Sequence, residues 1–319
     1  MRAIVARRYG PPDVLRCEDV GVPTPADGEV RLAVRAAAVN PVDRGFEAPW
    51  PVLRLMTGLR RPKDPRVGHD VAGVVDSVGR AVTRFAPGDA VFGLCRGAFA
   101  EYACAAESAL VAKPRDVTFE QAAAVPVAGL TALQGLRDKA QLRPGAEVLI
   151  NGAAGGVGTF AVQIAKALGG RVTGVCSARN VELVRSIGAD DVVDYTRDDF
   201  ASGARRFDVI LDCVGNRSLA TLRRVLRPGG TCVLVGASPK LRSVLARWLG
   251  SLAMSRLGRE RFVFFVARSR TEDLSALAEL LARGAVVPVI DRRYALAEAG
   301  DAIRQLETKH ARGKIVLTV

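Results

Sequence analysis

Short runs in which hydrophobic and polar residues alternate, bounded by glycine and proline, fill the first third of the chain. Alternation with a period of two predicts strands, and Pro87-Gly88-Asp89 predicts a turn that leads into one of them. We therefore expect a β-rich first domain, of the small-barrel kind. Its clearest predicted strands are Ala3–Ala6, Glu29–Val34, Val71–Val78 and Ala90–Phe92.

The hydrophobic period becomes helical near Phe119, and from there predicted strands and helices alternate. Apolar residues at helical spacing predict one helix over Thr118–Lys139 and another that ends at Leu168. Strands that alternate with helices are typical of a parallel, doubly wound sheet. The other predicted elements are strands Glu147–Ile150, Val172–Cys176, Val192–Val193, Asp208–Asp212, Thr231–Val235, Phe262–Ala267 and Gly313–Val319, and a helix over Leu274–Arg283.

The chain has 319 residues, of which 49% are hydrophobic and 25% charged, so it is long enough for two globular domains. No run of about 18 apolar residues predicts a transmembrane helix, and the N-terminus lacks the apolar core of a secretion signal. We therefore expect a cytoplasmic protein. None of the six cysteines forms a C-x-x-C pair, which argues against a zinc knuckle or a disulfide framework and favours core packing.

The net charge of +13 favours acidic partners, among them a phosphorylated cofactor, nucleic acid and an anionic membrane. The charge alone does not choose among these partners. Aromatic residues make up 5% of the chain and are not interleaved with basic ones, as a surface that stacks bases requires. We therefore expect no nucleic-acid partner.

The strongest chemical motif is the turn Ala153-Ala154-Gly155-Gly156-Val157-Gly158, which lies between a predicted strand and a predicted helix. In the G-x-G-x-x-G spacing of dinucleotide-binding proteins, the three glycine positions hold Ala153, Gly155 and Gly158. Gly155 lets the backbone approach a pyrophosphate, and Gly158 lets the helix pack on the sheet. The N–H groups at the helix N-terminus then face the phosphates.

Selectivity for the cofactor is set about 20 residues further on, where NAD enzymes place an acid that bonds the ribose hydroxyls. The run from Val157 to Val181 contains no Asp or Glu, and the second strand leads instead into Ser177 and Arg179. A guanidinium group matches a 2′-phosphate with charge-assisted hydrogen bonds. The sequence therefore favours NADP(H) over NAD(H). The alternative is that Arg179 is only a solvated loop charge.

Several motifs, taken in order along the chain, resemble the medium-chain dehydrogenase/reductase superfamily, and most closely its quinone oxidoreductase (zeta-crystallin-like) branch. Each motif is a modest signal, but the ordered set is specific and spans essentially the whole chain. Besides the glycine turn, the motifs are Ala38-Val39-Asn40-Pro41-Val42-Asp43, Gly68-His69-Asp70-Val71-Ala72-Gly73-Val74-Val75, Gly88-Asp89-Ala90-Val91-Phe92-Gly93, Gly129-Leu130-Thr131-Ala132, Gly188-Ala189-Asp190-Asp191-Val192-Val193-Asp194-Tyr195, Asp212-Cys213-Val214-Gly215 and Gly313-Lys314-Ile315-Val316.

The resemblance implies an α/β protein with a GroES-like, β-rich catalytic domain and a doubly wound Rossmann domain. The catalytic domain comprises residues 1–120 and 262–319, and the NADP-binding domain, residues 121–261, is inserted between them. Tyr195 is implied at the adenosine end of NADPH, beside Ser177 and Arg179. The other implied cofactor contacts are Ala154, Gly155, Gly156, Val157, Val214, Gly236, Phe264, Phe265 and Val266. For the two phenylalanines the alternative is simple strand packing.

Departures from the zinc-bearing relatives bear on the chemistry. Those enzymes bind catalytic zinc with a cysteine, a histidine and a later cysteine, where this chain has Asn40, His69 and, near the third position, Ala128. One remaining ligand cannot hold a catalytic zinc, which needs three. The lobe with four cysteines that binds structural zinc is also missing, since Cys95 is alone in that region. We therefore expect a zinc-independent enzyme in which His69 is a hydrogen-bonded structural residue.

Without zinc, the implied reaction is direct hydride transfer from NADPH to an acceptor that is already electrophilic, such as a quinone, an enone or an enal. Asn40 is the predicted hydrogen-bond donor to the resulting oxyanion. Asp43 is predicted to orient a neighbour, and Thr131 to touch the nicotinamide ribose or the substrate. The sequence shows no Ser-Tyr-Lys or histidine relay, so the proton is expected to come from water.

Two basic stretches leave alternatives open. Residues 46–66 include Trp50, Leu55 and Met56, and they either cap a pocket for a hydrophobic acceptor or form a packed surface loop. Residues 240–261 combine apolar residues at helical spacing with six basic ones. Such a helix lies on an anionic membrane, packs on the chain's own core or contacts a second subunit in a homodimer.

Two rival classes of function remain at this point. One is a zinc-type alcohol dehydrogenase, which metal analysis would reveal. The other is an NADPH-binding regulator or RNA-binding protein with little catalysis. Steady oxidation of NADPH by a quinone or enone separates the enzyme from the regulator.

Overall fold

The structure is a computed structural model that describes residues 1–47, 54, 58–236, 249–251, 254, 258–308 and 311–319. The chain folds into two compact units. The first unit comprises residues 1–130, 269–284 and 288–319, and the second comprises residues 131–268 and 285–287. The main boundaries therefore lie after residues 130 and 268, whereas the sequence predicts them after residues 120 and 261.

Local packing explains both shifts. The backbone N–H of Val127 donates to the Asp70 carboxylate (2.9 Å), and a Cβ on Gly129 would contact Leu277, so the segment after residue 120 packs within the first unit. Residues 261–264 pair in parallel with the strand at 231–234, so this stretch belongs to the second unit.

The first unit contains a seven-stranded sheet and a two-stranded antiparallel ribbon. Its long strand β3 is central, because β4 pairs along one edge of it, whereas β6 and the strand before the C-terminus pair with two separate stretches of the other edge. The predicted return of the C-terminal segment to the first domain is thus observed. The strands of this unit are β1 (Arg2–Ala6), β2 (Leu15–Asp19), β3 (Glu29–Val39), β4 (Asp70–Val78), β5 (Ala90–Leu94), β6 (Tyr102–Ala106), β7 (Leu110–Ala112), β14 (Ile290–Ala295) and β15 (Lys314–Thr318).

The second unit is a six-stranded parallel sheet in the order β10-β9-β8-β11-β12-β13. The chain runs outward from β8 in one direction and then, from β11, in the other, which is the doubly wound arrangement with its switch point between β8 and β11. The α/β class with GroES-like and Rossmann units is therefore confirmed. The strands are β8 (Glu147–Asn151), β9 (Arg171–Cys176), β10 (Asp191–Asp194), β11 (Phe207–Asp212), β12 (Leu226–Leu234) and β13 (Arg261–Phe264).

The helices of the described residues follow the predicted periodicity, with one difference. The long helix predicted over Thr118–Lys139 is broken at Val125, because Pro126 cannot donate the hydrogen bond that would continue it. Its last turn is a π-helix, Gln134–Lys139. The α-helices are α1 (Phe119–Ala123), α2 (Pro126–Leu133), α3 (Gly156–Ala167), α4 (Val181–Ser186), α5 (Leu219–Val225), α6 (Thr271–Ala282) and α7 (Ala299–Glu307).

Within the described ranges, no helix has the length and apolar character that crossing a membrane requires.

Candidate cofactor-binding and catalytic sites

The glycine turn joins β8 to α3 at the switch point of the parallel sheet. Gly152 follows the strand with φ of +87°, a left-handed conformation that favours glycine. The sharp change of chain direction therefore occurs one residue before Ala153, which the sequence pattern places first. Ala153 is fully buried instead, and its Cβ lies against Gly174 of β9.

Gly155 and Gly158 have different surroundings. A Cβ on Gly158 would overlap the carbonyl oxygen of Gly152, so the bare backbone is what lets α3 approach the turn. A Cβ on Gly155 would meet that same oxygen at an ordinary 3.4 Å. The space in front of Gly155 is thus open, as the close approach of a phosphate requires. Because of this open space, the residues of the turn fit the phosphates of a dinucleotide.

The carboxyl ends of β8 and β11 are joined by buried polar side chains. Asn151 Nδ2 donates to Asp212 Oδ1 (2.8 Å) and to Asn216 Oδ1 (3.0 Å). Asp212 Oδ1 also accepts from the backbone N–H groups of Val214 (3.2 Å) and Gly215 (2.9 Å). The sequence motifs gave Asp212 no role, yet its carboxylate fixes the loop that follows β11.

That loop lies beside the glycine turn. A Cβ on Gly152 would meet Val214 Cγ2 at 2.6 Å, and Val214 is half-exposed. Gly236, two residues after the end of β12, faces the same loop, since a Cβ there would meet the backbone of Cys213 at 2.5 Å. The structure therefore brings Val214 and Gly236 together next to the turn, as a shared cofactor surface requires.

The predicted adenosine-end residues lie at the ends of adjacent strands β9 and β10. The backbone N–H of Tyr195 donates to the Cys176 carbonyl (2.9 Å), which places Tyr195 next to Ser177. Ser177 in turn accepts from Asn180 Nδ2 (3.2 Å), and Arg179 is exposed in the short 3-10 helix between them. This grouping brings a guanidinium, a hydroxyl and an aromatic ring to one edge of the sheet.

Asp194, the acid that ends β10, is held by its own loop. Its Oδ1 accepts from the backbone N–H (3.0 Å) and the hydroxyl (2.8 Å) of Thr196, and these bonds hold the pKa of Asp194 below its usual value. The carboxylate thus stabilises the turn after β10.

The segment after β13 is fixed by the π-helix. Gln134 exchanges two hydrogen bonds with the backbone of Arg268, at 2.7 and 3.0 Å, and Lys139 lies 5.7 Å from the centre of the Phe265 ring. Phe264 and Phe265 are half-buried, whereas Val266 is 80% exposed. Phe264 also packs on the core of this unit, so strand packing accounts for part of its environment.

The first unit contains a cluster of polar side chains at one end of its long sheet. Asn40 follows β3, Asp70 begins β4 and Lys314 begins β15, and the pairing of these strands brings the three residues together. Asp43 comes from the 3-10 helix Pro41–Glu47, and His69 directly precedes β4.

The hydrogen bonds of this cluster form one connected network. His69 Nδ1 lies 2.6 Å from Asp43 Oδ1, and Asp43 Oδ2 accepts from the backbone N–H of Asn40 (2.7 Å). Asn40 Nδ2 donates to Asp70 Oδ2 (2.8 Å), and Lys314 Nζ donates to Asn40 Oδ1 and, at 3.4 Å, to Asp70 Oδ2. Asp70 and Lys314 are both buried, and burial raises the pKa of Asp70.

This network changes the role that Asn40 can have. Its two amide hydrogens go to Asp70 and to the Ala38 carbonyl (3.1 Å), and the residue is 2% exposed. The geometry leaves no amide hydrogen for a substrate oxyanion, so it favours a positioning role over the predicted donor role. The neighbour of the Asp43 carboxylate is His69, and the orienting role of Asp43 stays a prediction.

Thr131 lies in α2 and is half-buried; its predicted contact with the ribose or substrate stays a prediction. Trp50, Leu55 and Met56 lie outside the described residues, as do most of residues 240–261. The predicted pocket cap, membrane-surface contact and homodimer therefore stay predictions.

Possible metal ligands are sparse in the described part of the chain, where no three His, Cys, Asp or Glu side chains form a group suited to a metal ion. Cys95 lies in the same unit as His69 but is buried, and burial raises the pKa of its thiol far above the usual value.

Comparison with known proteins identifies relatives over the whole chain. Residues 26–115 match the family model of the alcohol dehydrogenase GroES-like domain, and residues 187–317 match that of a zinc-binding dehydrogenase. A chloroplast envelope quinone oxidoreductase homolog of Arabidopsis thaliana is 34% identical to this chain, over 93% of this chain and 92% of its own length. A chloroplastic NADPH-dependent alkenal/one oxidoreductase of the same plant is 33% identical, over 99% of this chain and 79% of its own length.

The fold is equally well matched. The crystal structure of the Escherichia coli quinone oxidoreductase complexed with NADPH aligns over 100% of both chains with a TM-score of 0.85, at 25% sequence identity. These matches agree with the doubly wound sheet, its glycine turn and the GroES-like unit. The chain belongs to the medium-chain dehydrogenase/reductase superfamily, in its quinone oxidoreductase branch.

Proposed function

We propose that this chain is an NADPH-dependent reductase of quinones and of α,β-unsaturated carbonyl compounds, and that it works without zinc. The observation that carries the proposal is the phosphate-binding turn at the switch point of the parallel sheet, with open space in front of Gly155. Relatives named quinone oxidoreductase and alkenal/one oxidoreductase support the choice of acceptor.

The second unit holds the dinucleotide. The N–H groups at the start of α3 and the bare backbone of Gly155 bind the phosphates, and Ser177, Arg179 and Tyr195 form the adenosine end. Val214 and Gly236, next to the turn, lead towards the nicotinamide end. NADPH, when bound, supplies the hydride. The protein's part is to hold donor and acceptor in a reactive orientation and to stabilise the charge that develops on the acceptor oxygen.

The absence of zinc is proposed from the residues at the matching positions. Asn40 stands where zinc-bearing relatives have a cysteine, and its side chain is hydrogen-bonded to Asp70, Lys314 and the backbone. His69 points Nδ1 at Asp43, and Ala128 offers no ligand atom. An acceptor that is already electrophilic needs no Lewis acid.

An acceptor screen tests the proposal. NADPH oxidation is measured with quinones, enones, enals and simple ketones, each with and without a chelator. We expect turnover with the first three classes, none with simple ketones, and no effect of the chelator. Turnover of simple alcohols or ketones that needs added zinc would establish an alcohol dehydrogenase instead.

Cofactor preference provides a separate prediction. Replacement of Arg179 by alanine removes the guanidinium proposed to bind the 2′-phosphate. We expect the Kd for NADPH to rise roughly 10- to 150-fold, since a hydrogen bond to a charged group contributes about 1.5–3 kcal/mol. The Kd for NADH should stay within about twofold, because NADH lacks the phosphate.

The matched control is Arg185→Ala, which removes an exposed arginine of α4 that pairs with Glu182 at 3.1 Å. This change should alter neither constant. Equal losses of NADPH and NADH binding in Arg179→Ala would show that Arg179 supports the fold rather than the phosphate.

A further inference from the structure

We propose that Asn180 is a positioning residue of the cofactor site, which holds the Ser177 hydroxyl as a hydrogen-bond donor for the 2′-phosphate of NADPH. This inference rests on the proposed reductase function and adds a residue to its adenosine end. The sequence motifs assign Ser177 and Arg179 to the cofactor but give Asn180 no role. The contacts that carry the inference all lie within the second unit.

Ser177 lies at the carboxyl edge of the parallel sheet, beside the phosphate-binding turn. It follows β9, and the carbonyl of Val175, two residues earlier, accepts from the backbone N–H groups of Gly152 (3.1 Å) and Ala153 (3.0 Å). In dinucleotide-binding folds the end of this second strand is where the adenosine ribose is recognised. Ser177 is half-buried, so its hydroxyl is held by the protein and still accessible to a ligand.

The hydrogen bond between Asn180 and Ser177 fixes the role of the hydroxyl. Asn180 Nδ2 can only donate, so Ser177 Oγ is the acceptor of this 3.2 Å bond. The proton of the hydroxyl is then left for another acceptor, and among the described residues it has none. A phosphate oxygen accepts charge-assisted hydrogen bonds, so it matches this donor.

The Asn180 side chain does not have the structural role that its position usually gives. Asn180 directly precedes α4, and an asparagine there commonly accepts a hydrogen bond from the first turn of the helix. In this chain it makes no such bond, and its amide is turned towards Ser177 instead. Helix capping therefore does not explain why the residue is an asparagine.

Burial of Asn180 also argues against a purely structural role. The residue is 7% exposed, and within the described part of the chain its Oδ1 has no hydrogen-bond partner. A buried acceptor without a partner destabilises the folded state, whereas an apolar side chain of the same shape does not. The interaction that explains the asparagine is therefore the bond from Nδ2 to Ser177.

Two fragments of the cofactor test the inference at the adenosine end alone. Adenosine 2′,5′-bisphosphate carries the 2′-phosphate, and adenosine 5′-monophosphate has a hydroxyl in its place. Titration calorimetry measures the Kd of each fragment with the full chain. In Asn180→Leu the Kd for the bisphosphate should rise roughly 2- to 10-fold, because the freed hydroxyl must be ordered when the phosphate binds. The Kd for the monophosphate should rise less, because a hydrogen bond to a neutral group is weaker.

Removal of the Ser177 hydroxyl shows whether Asn180 acts through it. Ser177→Ala should raise the Kd for the bisphosphate roughly 10- to 150-fold, and adding Asn180→Leu should raise it no further. A residue that only supports the fold would weaken binding equally with and without the hydroxyl. NADPH and NADH should show the same pattern as the two fragments.

The matched control is Ser186→Ala. It removes an exposed hydroxyl of α4 that donates to the Leu183 carbonyl (2.9 Å), and it should change neither Kd. Thermal unfolding of the cofactor-free variants gives a readout that does not depend on binding. The unfolding temperature of Asn180→Leu should not fall, because the change removes an acceptor without a partner and breaks no helix cap. If leucine prevents folding, the smaller Asn180→Ala takes its place in every comparison.

The outcomes separate this inference from the proposed function. A loss of bisphosphate binding that appears only when the Ser177 hydroxyl is present supports the inference. If the unaltered protein binds NADPH and the change at Asn180 has no effect, or has the same effect with and without that hydroxyl, Asn180 does not position it and the function stands. If the unaltered protein binds neither NADPH nor the bisphosphate, the proposed function and the inference both fail.

Discussion

Alanine at Gly155 is expected to weaken NADPH binding without lowering the unfolding temperature, whereas alanine at Gly158 should impair both. A methyl group on Gly155 meets the Gly152 oxygen at 3.4 Å, and the backbone there, with φ of −83°, accepts any residue. The methyl group therefore disturbs only the space that a phosphate would occupy. On Gly158 the methyl group would overlap that oxygen, so α3 must move away from the turn.

Both effects should be large. Forcing an extra methyl group into a tightly packed contact costs about 1–3 kcal/mol, which corresponds to roughly a 5- to 150-fold rise in Kd at Gly155. At Gly158 a similar cost falls on the free energy of unfolding. Calorimetry with NADPH and thermal unfolding of the cofactor-free protein measure the two effects separately. Unchanged NADPH affinity in Gly155→Ala would mean that the phosphates do not approach this turn.

Replacement of Lys314 by methionine is expected to destabilise the protein strongly, in a way that depends on pH. The lysine is 3% exposed and Asp70 is fully buried, so the change leaves a buried carboxylate without its cation. Removing one partner of a buried pair costs about 3–5 kcal/mol. The exposed pair Lys166–Asp190 provides the control, since Lys166→Met should cost about 1 kcal/mol or less.

The sign of the pH effect follows from Asp70. Burial already raises the pKa of Asp70, and loss of the lysine raises it further. The folded variant therefore keeps a proton on Asp70 at pH values where the unfolded chain has already lost it. The folded variant is therefore favoured as the pH falls. The deficit measured by urea unfolding should be smaller at roughly pH 5 than at roughly pH 8. Adding Asp70→Asn should recover part of the loss at the higher pH, and a deficit independent of pH would contradict this account.

Much of this fold could be predicted from the sequence. Strand and helix periods separate a β-rich part from a doubly wound part, because each period reports which face of an element is buried. The cofactor turn could be predicted too, since Gly155 and Gly158 keep the spacing that phosphate approach and helix packing demand. The sharp turn at Gly152 could not be predicted, because Gly152 precedes the three positions of the motif and the spacing does not indicate a positive φ there.

The polar cluster around Asn40 was harder to predict. Asn40, Asp70 and Lys314 are far apart in sequence, and only the pairing of β3 with β4 and β15 makes them neighbours. Because such neighbours decide which donors and acceptors are already paired, the sequence could not show that both amide hydrogens of Asn40 have partners. The motifs contain His69 and Asp43, but they do not reveal the hydrogen bond between them. One signal in the sequence was Lys314, a charged residue at the start of an apolar terminal strand. A lysine in that position indicates a buried acidic partner, which is Asp70.

The most direct measurement follows the hydride itself. An enone is reduced with NADPH that carries deuterium at the transferred position, in the presence of a chelator, and the product is examined by NMR and mass spectrometry. Direct metal-free transfer predicts one deuterium at the β-carbon of the saturated product, with the proton at the α-carbon drawn from solvent. A product without deuterium at the β-carbon, or turnover that stops with the chelator and returns with zinc, would contradict the account.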